Sequence, residues 1–155
     1  MGGLSCPAAE RIDGVGRLGR MWPRVNGMRT LELGSPGSLR DELNALVLEG
    51  VKTATATLLA EYAEEGEERE FPGELLALLG NDGAVLAGLR VTDVMTVPFS
   101  EVPWDFAEAE GEGYTDLAHW RRAHLDFWRD VEGRSVDETT PVVCMQFTRT
   151  NSPPA

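Results

Sequence analysis

Lysine is almost absent from this chain of 155 residues, which has only Lys52, while every other basic side chain is arginine. Cysteine is also scarce: Cys6 and Cys144 are too few for a disulfide framework, and they indicate a reducing compartment. No apolar run approaches the roughly 20 residues that a membrane-spanning helix requires. We therefore expect a cytoplasmic protein that neither depends on disulfides nor inserts into a membrane.

Motifs for common cofactors are missing as well. No glycine-rich phosphate loop follows a predicted strand, and His119 and His124 have no metal-ligand spacing with the cysteines. We expect no metal and no other cofactor. His124 falls on the apolar face of a predicted helix and is interpreted as a core histidine, whereas His119 is expected to be solvated.

Positive charge is outweighed by negative charge. The formal net charge is −12, which opposes general affinity for long nucleic acid because phosphate binding is mostly electrostatic. A small nucleoside-like ligand, or RNA held on one local basic patch, remains compatible with it. Residues 61–70 carry six glutamates and one arginine, and residues 101–112 are also acidic. We predict both stretches to be solvated surface.

The length fits one domain, which we place at residues 22–150. Residues 1–21 are rich in glycine and arginine and lack the apolar core of a secretory signal. They are interpreted as a disordered tail, or as an extension upstream of a start at Met21. Residues 151–155 are interpreted as a C-terminal tail.

The hydrophobic pattern predicts an α+β fold, in the form of a small curled sheet or antiparallel β-barrel with covering helices. Helices are predicted at residues 38–49, capped by Ser38, and 116–131, capped by Thr115. The predicted strands are residues 73–79, 84–91, 92–99 and 142–148, with an Asp-Gly turn between the first two.

Residues 53–57 are ambiguous, since alternating threonine and alanine suits a strand while the following apolar residues have helical spacing. We favour a helix that extends through residue 64, with Thr53 or Thr55 as its cap. Lys52 would then precede a helix N-terminus, where free N–H groups favour an anion or a carbonyl oxygen.

Lys52 lies in a stretch of small residues, 50–57, that has no other charge. Its compact amine can act as a point charge, a general base or a nucleophile, which arginine does not do. The alternative interpretation is a solvated lysine at a helix end, where a cation complements the dipole.

Residues 50–55 (Gly-Val-Lys-Thr-Ala-Thr) resemble the lysine motif of the ASCH domain family. Two further parts of the chain resemble one ASCH subgroup: residues 22–34, and the acidic stretch 108–113 that is followed by Trp-Arg-Arg-Ala-His at 120–124. The resemblance covers about residues 22–149. It implies a PUA-like β-barrel related to RNA-binding domains.

The resemblance also implies two kinds of function. Some ASCH proteins are linked to RNA binding or RNA cleavage, and one small type hydrolyses the acetyl amide of N(4)-acetylcytidine with a lysine, a threonine and a glutamate. Lys52, Thr55 and Glu110 match these three, with Glu108 and Glu112 as rivals of Glu110. The alternatives are a helix cap for Thr55 and a solvated loop position for Glu110. The chain departs from the shorter proteins through an insert-like segment at residues 61–71 and a more glycine-rich stretch at 110–113.

Four further residues are predicted to contact an RNA or modified-nucleoside ligand. Thr53 is part of the lysine motif, and Arg24 and Arg29 are expected to form a basic rim near Lys52. Trp104 is expected to stack on a base, with core packing as the alternative.

Overall fold

The computed structural model describes residues 22–150, and both predicted tails lie outside them. In chain order the strands and helices are β1 (Arg24–Val25), β2 (Met28–Leu31), α1 (Ser38–Leu48), β3 (Ala54–Leu58), α2 (Leu59–Glu65), β4 (Leu75–Leu79), β5 (Val85–Pro98), α3 (Trp104–Ala109), α4 (Leu117–Asp130) and β6 (Pro141–Arg149), with a short 3-10 helix (Phe99–Glu101) before α3.

The six strands form one sheet in the order β1-β2-β4-β5-β6-β3. The predicted α+β class is confirmed, but the predicted barrel is not, because no pairing among the described strands joins β1 to β3. The prediction of a purely antiparallel sheet is wrong, since β2 and β4 are parallel. The chain between these two strands holds α1, β3 and α2, which is long enough for the crossover that a parallel pair needs.

The predicted strands 84–91 and 92–99 form the single long strand β5. Its pairing with β6 shifts register between Val91 and Asp93, where an irregularity lets one strand bend and continue. The predicted Asp-Gly turn before it is confirmed: Gly83 has a φ of 83°, and the Asp82 Oδ1 atom accepts from the Ala84 N–H at 3.0 Å.

The predicted helix over residues 53–64 is wrong in its first half, since Ala54–Leu58 form β3 and α2 begins only at Leu59. The five residues of β3 are all buried and pair with β6 from Ala54–Gln146 to Leu58–Val142. Tertiary pairing on a buried surface suits alternating threonine and alanine and decides the conformation. Lys52 therefore precedes an edge strand, not a helix N-terminus.

Two predicted helix caps are replaced by the preceding or following residue. The N-cap of α1 is Gly37 in place of Ser38, and it makes no side-chain cap bond. The N-cap of α4 is Asp116 in place of Thr115, and its carboxylate accepts from the His119 N–H at 2.8 Å. A carboxylate at this end also complements the helix dipole.

The sheet separates two hydrophobic clusters. On one face, α1 packs on β2, β4 and parts of β5 and β6. On the other face, Ala54, Ala56 and Leu58 of β3 pack against α3 and α4 through a group of aromatic side chains that includes Phe106, Trp120 and Trp128. The second cluster brings the loop between α3 and α4 next to the residues that precede β3.

The prediction that residues 61–70 are solvated is wrong for four of the six glutamates, because Glu61, Glu65, Glu67 and Glu70 are buried. Glu67 shows the reason: its carboxylate lies 2.8 Å from Arg24 and 3.4 Å from Arg29, both from the β1–β2 hairpin. Charges that are close in sequence are thus compensated by residues distant in sequence.

Glu61 gives a pH prediction. Burial, reinforced by the charge of Glu132, raises the pKa of Glu61 from 4.5 to about 8. Because a raised carboxyl pKa favours the folded state at low pH, this contribution is complete below about pH 4.5 and is lost as the pH rises toward 8. Between about pH 4.5 and pH 8, we expect the free energy of unfolding to fall by roughly 1–3 kcal/mol more in the wild type than in Glu61→Gln. Urea unfolding at several pH values would measure this difference. Glu42→Gln, which removes an exposed carboxylate that makes no ion pair among the described residues, is the control. Equal pH slopes for the wild type and Glu61→Gln would contradict this expectation.

Candidate functional site

The Lys52 side chain is buried, with 0% of its surface exposed. Its backbone N–H bonds the Leu46 carbonyl at the end of α1, and its amine points into the protein. Nζ donates to the Ala54 carbonyl at 2.8 Å, to Glu112 Oε2 at 2.6 Å and, more weakly, to the Glu110 carbonyl at 3.5 Å. The three acceptors match the three N–H bonds of an ammonium group.

The carboxylates reach Lys52 because the loop after α3 docks on the turn before β3. The Thr53 N–H donates to the Ala109 carbonyl at 2.8 Å, and the Thr53 hydroxyl contacts the same oxygen at 3.3 Å. Gly111 lies against the turn with a φ of 68°, and a Cβ atom there would be 2.3 Å from the Val51 carbonyl oxygen. The glycine therefore permits the close approach that brings residues 110–112 to the lysine.

Glu110 is fully buried at the centre of this arrangement. Oε1 accepts from the Trp120 Nε1–H at 2.6 Å, while Oε2 lies 3.7 Å from Lys52 Nζ and has no hydrogen-bond donor. Burial alone raises the pKa of Glu110, but His124, Lys52 and Trp120 together lower it to about 2. The carboxylate is therefore ionised at neutral pH.

His124 packs beside Glu110, with its Nε2 atom 3.0 Å from Glu110 Oε1. Its Nδ1 lies 2.9 Å from the Trp120 carbonyl, which can only accept, so Nδ1 carries a hydrogen. The Nε2 contact is close but poorly aligned, since this atom has no partner that meets hydrogen-bond geometry. The predicted burial of His124 is confirmed. Its contact with a buried glutamate was missed, although the shared helix face of Trp120 and His124 could have indicated a common partner.

Glu112 links the buried lysine to the surface. Its side chain is 13% exposed, Oε2 contacts Lys52, and Oε1 accepts from the Tyr114 hydroxyl at 2.8 Å. Burial raises the pKa of Tyr114, and the charge of Glu112 raises it further. Of the rival glutamates, Glu110 and Glu112 both contact Lys52, whereas Glu108 is exposed.

Thr55 does not join this group. Side chains alternate along a strand, and Thr55 lies between Ala54 and Ala56, which face α3 and α4. It pairs with Met145, whose side chain packs in the cluster on the opposite face, near α1. The Thr55 hydroxyl is buried there without a hydrogen-bond partner.

The remaining predicted ligand contacts are occupied within the described fold. Arg24 binds Glu67, and Arg29 binds Glu67 and Glu74, so the two arginines predicted to form a basic rim are ion-paired with acidic partners. Trp104 is partly buried against the aromatic cluster of α3 and α4.

Within residues 22–150 no three histidine, cysteine or acidic side chains are placed to hold a metal ion. The same residues contain no helix with the length and apolar character needed to cross a membrane.

A family model and two solved structures are similar to this chain in sequence or fold. The family model of the ASCH domain matches residues 30–150. The ASCH domain from Lactobacillus crispatus JV V101 is 28% identical, with a TM-score of 0.67 and 77% of each chain covered. A protein from Enterococcus faecalis V583 is 26% identical, with a TM-score of 0.69, covering 83% of this chain and 78% of its own. No curated protein matches this chain. The chain belongs to the ASCH domain family, a PUA-like family associated with RNA binding.

Proposed function

We propose that this ASCH domain binds a small nucleoside-like ligand whose polar end meets the Lys52 cluster, defined as Lys52, Glu110, Glu112 and His124. The observation that carries the proposal is the Oε2 atom of Glu110, a buried and ionised carboxylate oxygen without a hydrogen-bond donor. Such an atom is rare in folded proteins and is explained by a ligand, an ordered water or a catalytic role. An exocyclic N–H or a ribose O–H of a ligand has the required chemistry.

The charge distribution supports a small ligand over a long RNA. The net charge is −12, and Arg24, Arg29, Arg129 and Arg134 are each ion-paired with a carboxylate. Their charge is therefore largely compensated where a phosphate backbone would need it. The same reasoning disfavours an RNA-cleaving function at this cluster.

Hydrolysis of an acylated nucleoside amide, such as N(4)-acetylcytidine, is the second candidate. The specific observation in its favour is a buried ammonium group within 3.7 Å of one carboxylate and 2.6 Å of another. By giving up its long contact of 3.5 Å with the Glu110 carbonyl, the Lys52 ammonium would free one N–H bond to stabilise the negative charge that develops on the acyl oxygen. Glu112 would take a proton from a water molecule while the oxygen of that water bonds the acyl carbon. It would then pass the proton to the amine nitrogen as the C–N bond breaks. The products are acetate and cytidine.

In this scheme Glu110 acts through Lys52. With a pKa of about 2, it remains a carboxylate at neutral pH and stabilises the ammonium group without donating a proton. The hydroxyl of Thr55, on the other face of the sheet, has no role in the step.

The test compares cytidine and N(4)-acetylcytidine as ligands, by calorimetric titration and by chromatographic detection of released cytidine. We expect Glu112→Gln to lower turnover by roughly 10²-fold or more, the effect of removing one positioned acid–base group. Glu108→Gln, a neighbouring exposed glutamate outside the cluster, is the matched control and should retain wild-type behaviour.

The outcomes separate the candidates. Binding of either nucleoside without turnover selects the binding function, and turnover that depends on Glu112 selects hydrolysis. If neither nucleoside binds, while an oligoribonucleotide binds with an affinity that falls steeply as salt rises, the small-ligand proposal is wrong and an RNA-binding surface replaces it.

A further inference from the structure

A groove of about 670 Å³ lies away from the Lys52 cluster, between α2 and the segment of residues 67–72. Leu59 and Ala63 contribute apolar surface from α2, and Val94 contributes from β5. A volume of this size falls within the range of small-molecule sites, roughly 300–1,000 Å³. None of the residues that line it belongs to the Lys52 cluster.

An exposed aromatic ring borders the groove. Phe71 is 58% exposed, the largest exposed fraction among the bulky apolar side chains of the described residues. It follows a segment in which Glu67 and Glu70 are buried, so the adjoining chain is anchored while the ring faces the groove. An anchored and solvent-facing aromatic ring provides a surface on which a planar heterocycle can stack.

Arg69, two residues earlier, lines the same groove and is exposed. Its guanidinium donates to the Thr96 hydroxyl at 2.5 Å, a neutral partner, and makes no ion pair with any carboxylate of the described residues. The arginines at positions 24, 29 and 134 are all ion-paired. The guanidinium of Arg69 thus retains its charge and several donors for an anion such as a phosphate.

Two of the three acidic residues that line the groove do not cancel this charge. Glu67 is neutralised by Arg24 and Arg29. Glu70 accepts from the Tyr62 hydroxyl at 2.7 Å, and its burial raises its pKa. Glu68 remains exposed at the rim, where a carboxylate suits the hydroxyl groups of a ribose.

We propose that this groove binds a free mononucleotide, with its base stacked on Phe71 and its phosphate held by Arg69. This would be a second site, independent of a ligand at the Lys52 cluster. One ligand can meet both groups because Arg69 and Phe71 are close in sequence and line the same groove.

The test titrates the full chain with cytidine 5′-monophosphate and with cytidine at low ionic strength. The nucleotide is expected to bind more tightly than the nucleoside, since only the nucleotide presents a phosphate to Arg69. Phe71→Ala should weaken nucleotide binding by roughly 5- to 100-fold, the effect of losing one stacking ring. Arg69→Gln should reduce nucleotide affinity to that of the nucleoside, and Phe71→Tyr should preserve binding.

Arg122→Gln is the matched control, because Arg122 is another arginine without an ion pair among the described residues and does not line the groove. It makes the same change in net charge and should leave nucleotide binding unchanged. Absence of nucleotide binding, or equal affinities in Phe71→Ala, Arg69→Gln and the wild type, would overturn the proposal. The proposal would also be overturned if an oligoribonucleotide bound more tightly than the mononucleotide, and if Arg122→Gln weakened its binding as strongly as Arg69→Gln. Glu112→Gln distinguishes the two sites, since it should not alter binding at the groove.

Discussion

Replacement of Lys52 by methionine is expected to lower the free energy of unfolding by about 3–5 kcal/mol, the usual cost of removing one partner from a buried ion pair. The substitution fills the same space but leaves Glu110, which is fully buried, and Glu112, which is 13% exposed, without their cation. Glu110 is ionised at neutral pH because its pKa is about 2. The loss arises mainly from a carboxylate left in an apolar interior, and less from the lost contact itself.

Urea unfolding monitored by tryptophan fluorescence would measure this effect. The combined variant Lys52→Met, Glu110→Gln and Glu112→Gln is the informative control, because it removes the uncompensated charges together with the cation. We expect it to be more stable than Lys52→Met alone. The deficit of the single variant should also shrink as the pH falls toward 2, where Glu110 becomes protonated even in the wild type. Unfolding of Lys52→Met at the wild-type midpoint would show that the buried charges do not depend on the lysine.

The sequence indicated the importance of Lys52 because the residue is chemically isolated. It is the only lysine in the chain, and its neighbours are small and uncharged. A cation without local partners needs distant ones once it is buried, and the acidic stretch before α4 was a natural source. Family resemblance pointed to Glu110 as a partner of Lys52, whereas composition predicted residues 101–112 to be solvated, which is wrong for the fully buried Glu110.

The face of the sheet on which Thr55 lies could not be predicted in the same way. Its position three residues after Lys52 would suit a shared site in a helix, where such neighbours lie on one face. In a strand, side chains alternate, and the burial of Ala54 and Ala56 against α3 and α4 directs Thr55 to the other side. The choice between helix and strand depends on pairing with β6, about 90 residues later, which a local pattern does not contain.

Glutamate burial at residues 61–70 was missed for a related reason. Local charge density predicts solvation when partners are sought nearby. Here Arg24 and Arg29 lie about 40 residues away in sequence and meet Glu67 only because β1 and β2 lie beside this segment. A correct prediction required the fold first.

Substitution of Gly111 by alanine is expected to lower the free energy of unfolding by roughly 3 kcal/mol. Two costs combine: a non-glycine residue at a φ of 68° costs about 1–2 kcal/mol, and the new Cβ would lie 2.3 Å from the Val51 carbonyl oxygen. The obstructing atom belongs to the backbone of the turn that holds Lys52, so relief requires the loop and the turn to separate.

Gly113→Ala is a matched control for the first cost, because Gly113 has a φ of 86° but no atom within 4 Å of the position that a Cβ would take. We expect it to cost only about 1 kcal/mol. Separation of loop and turn should also expose the buried amine of Lys52, which mass spectrometry can follow as the rate of amine labelling at the only lysine of the chain. Labelling should be faster in Gly111→Ala and slow in Gly113→Ala and the wild type. Both variants carry the backbone strain of a positive φ, but only Gly111→Ala carries the steric clash with Val51. Equal stability and equal labelling in the two variants would therefore mean that close packing of Gly111 does not hold the Lys52 cluster together.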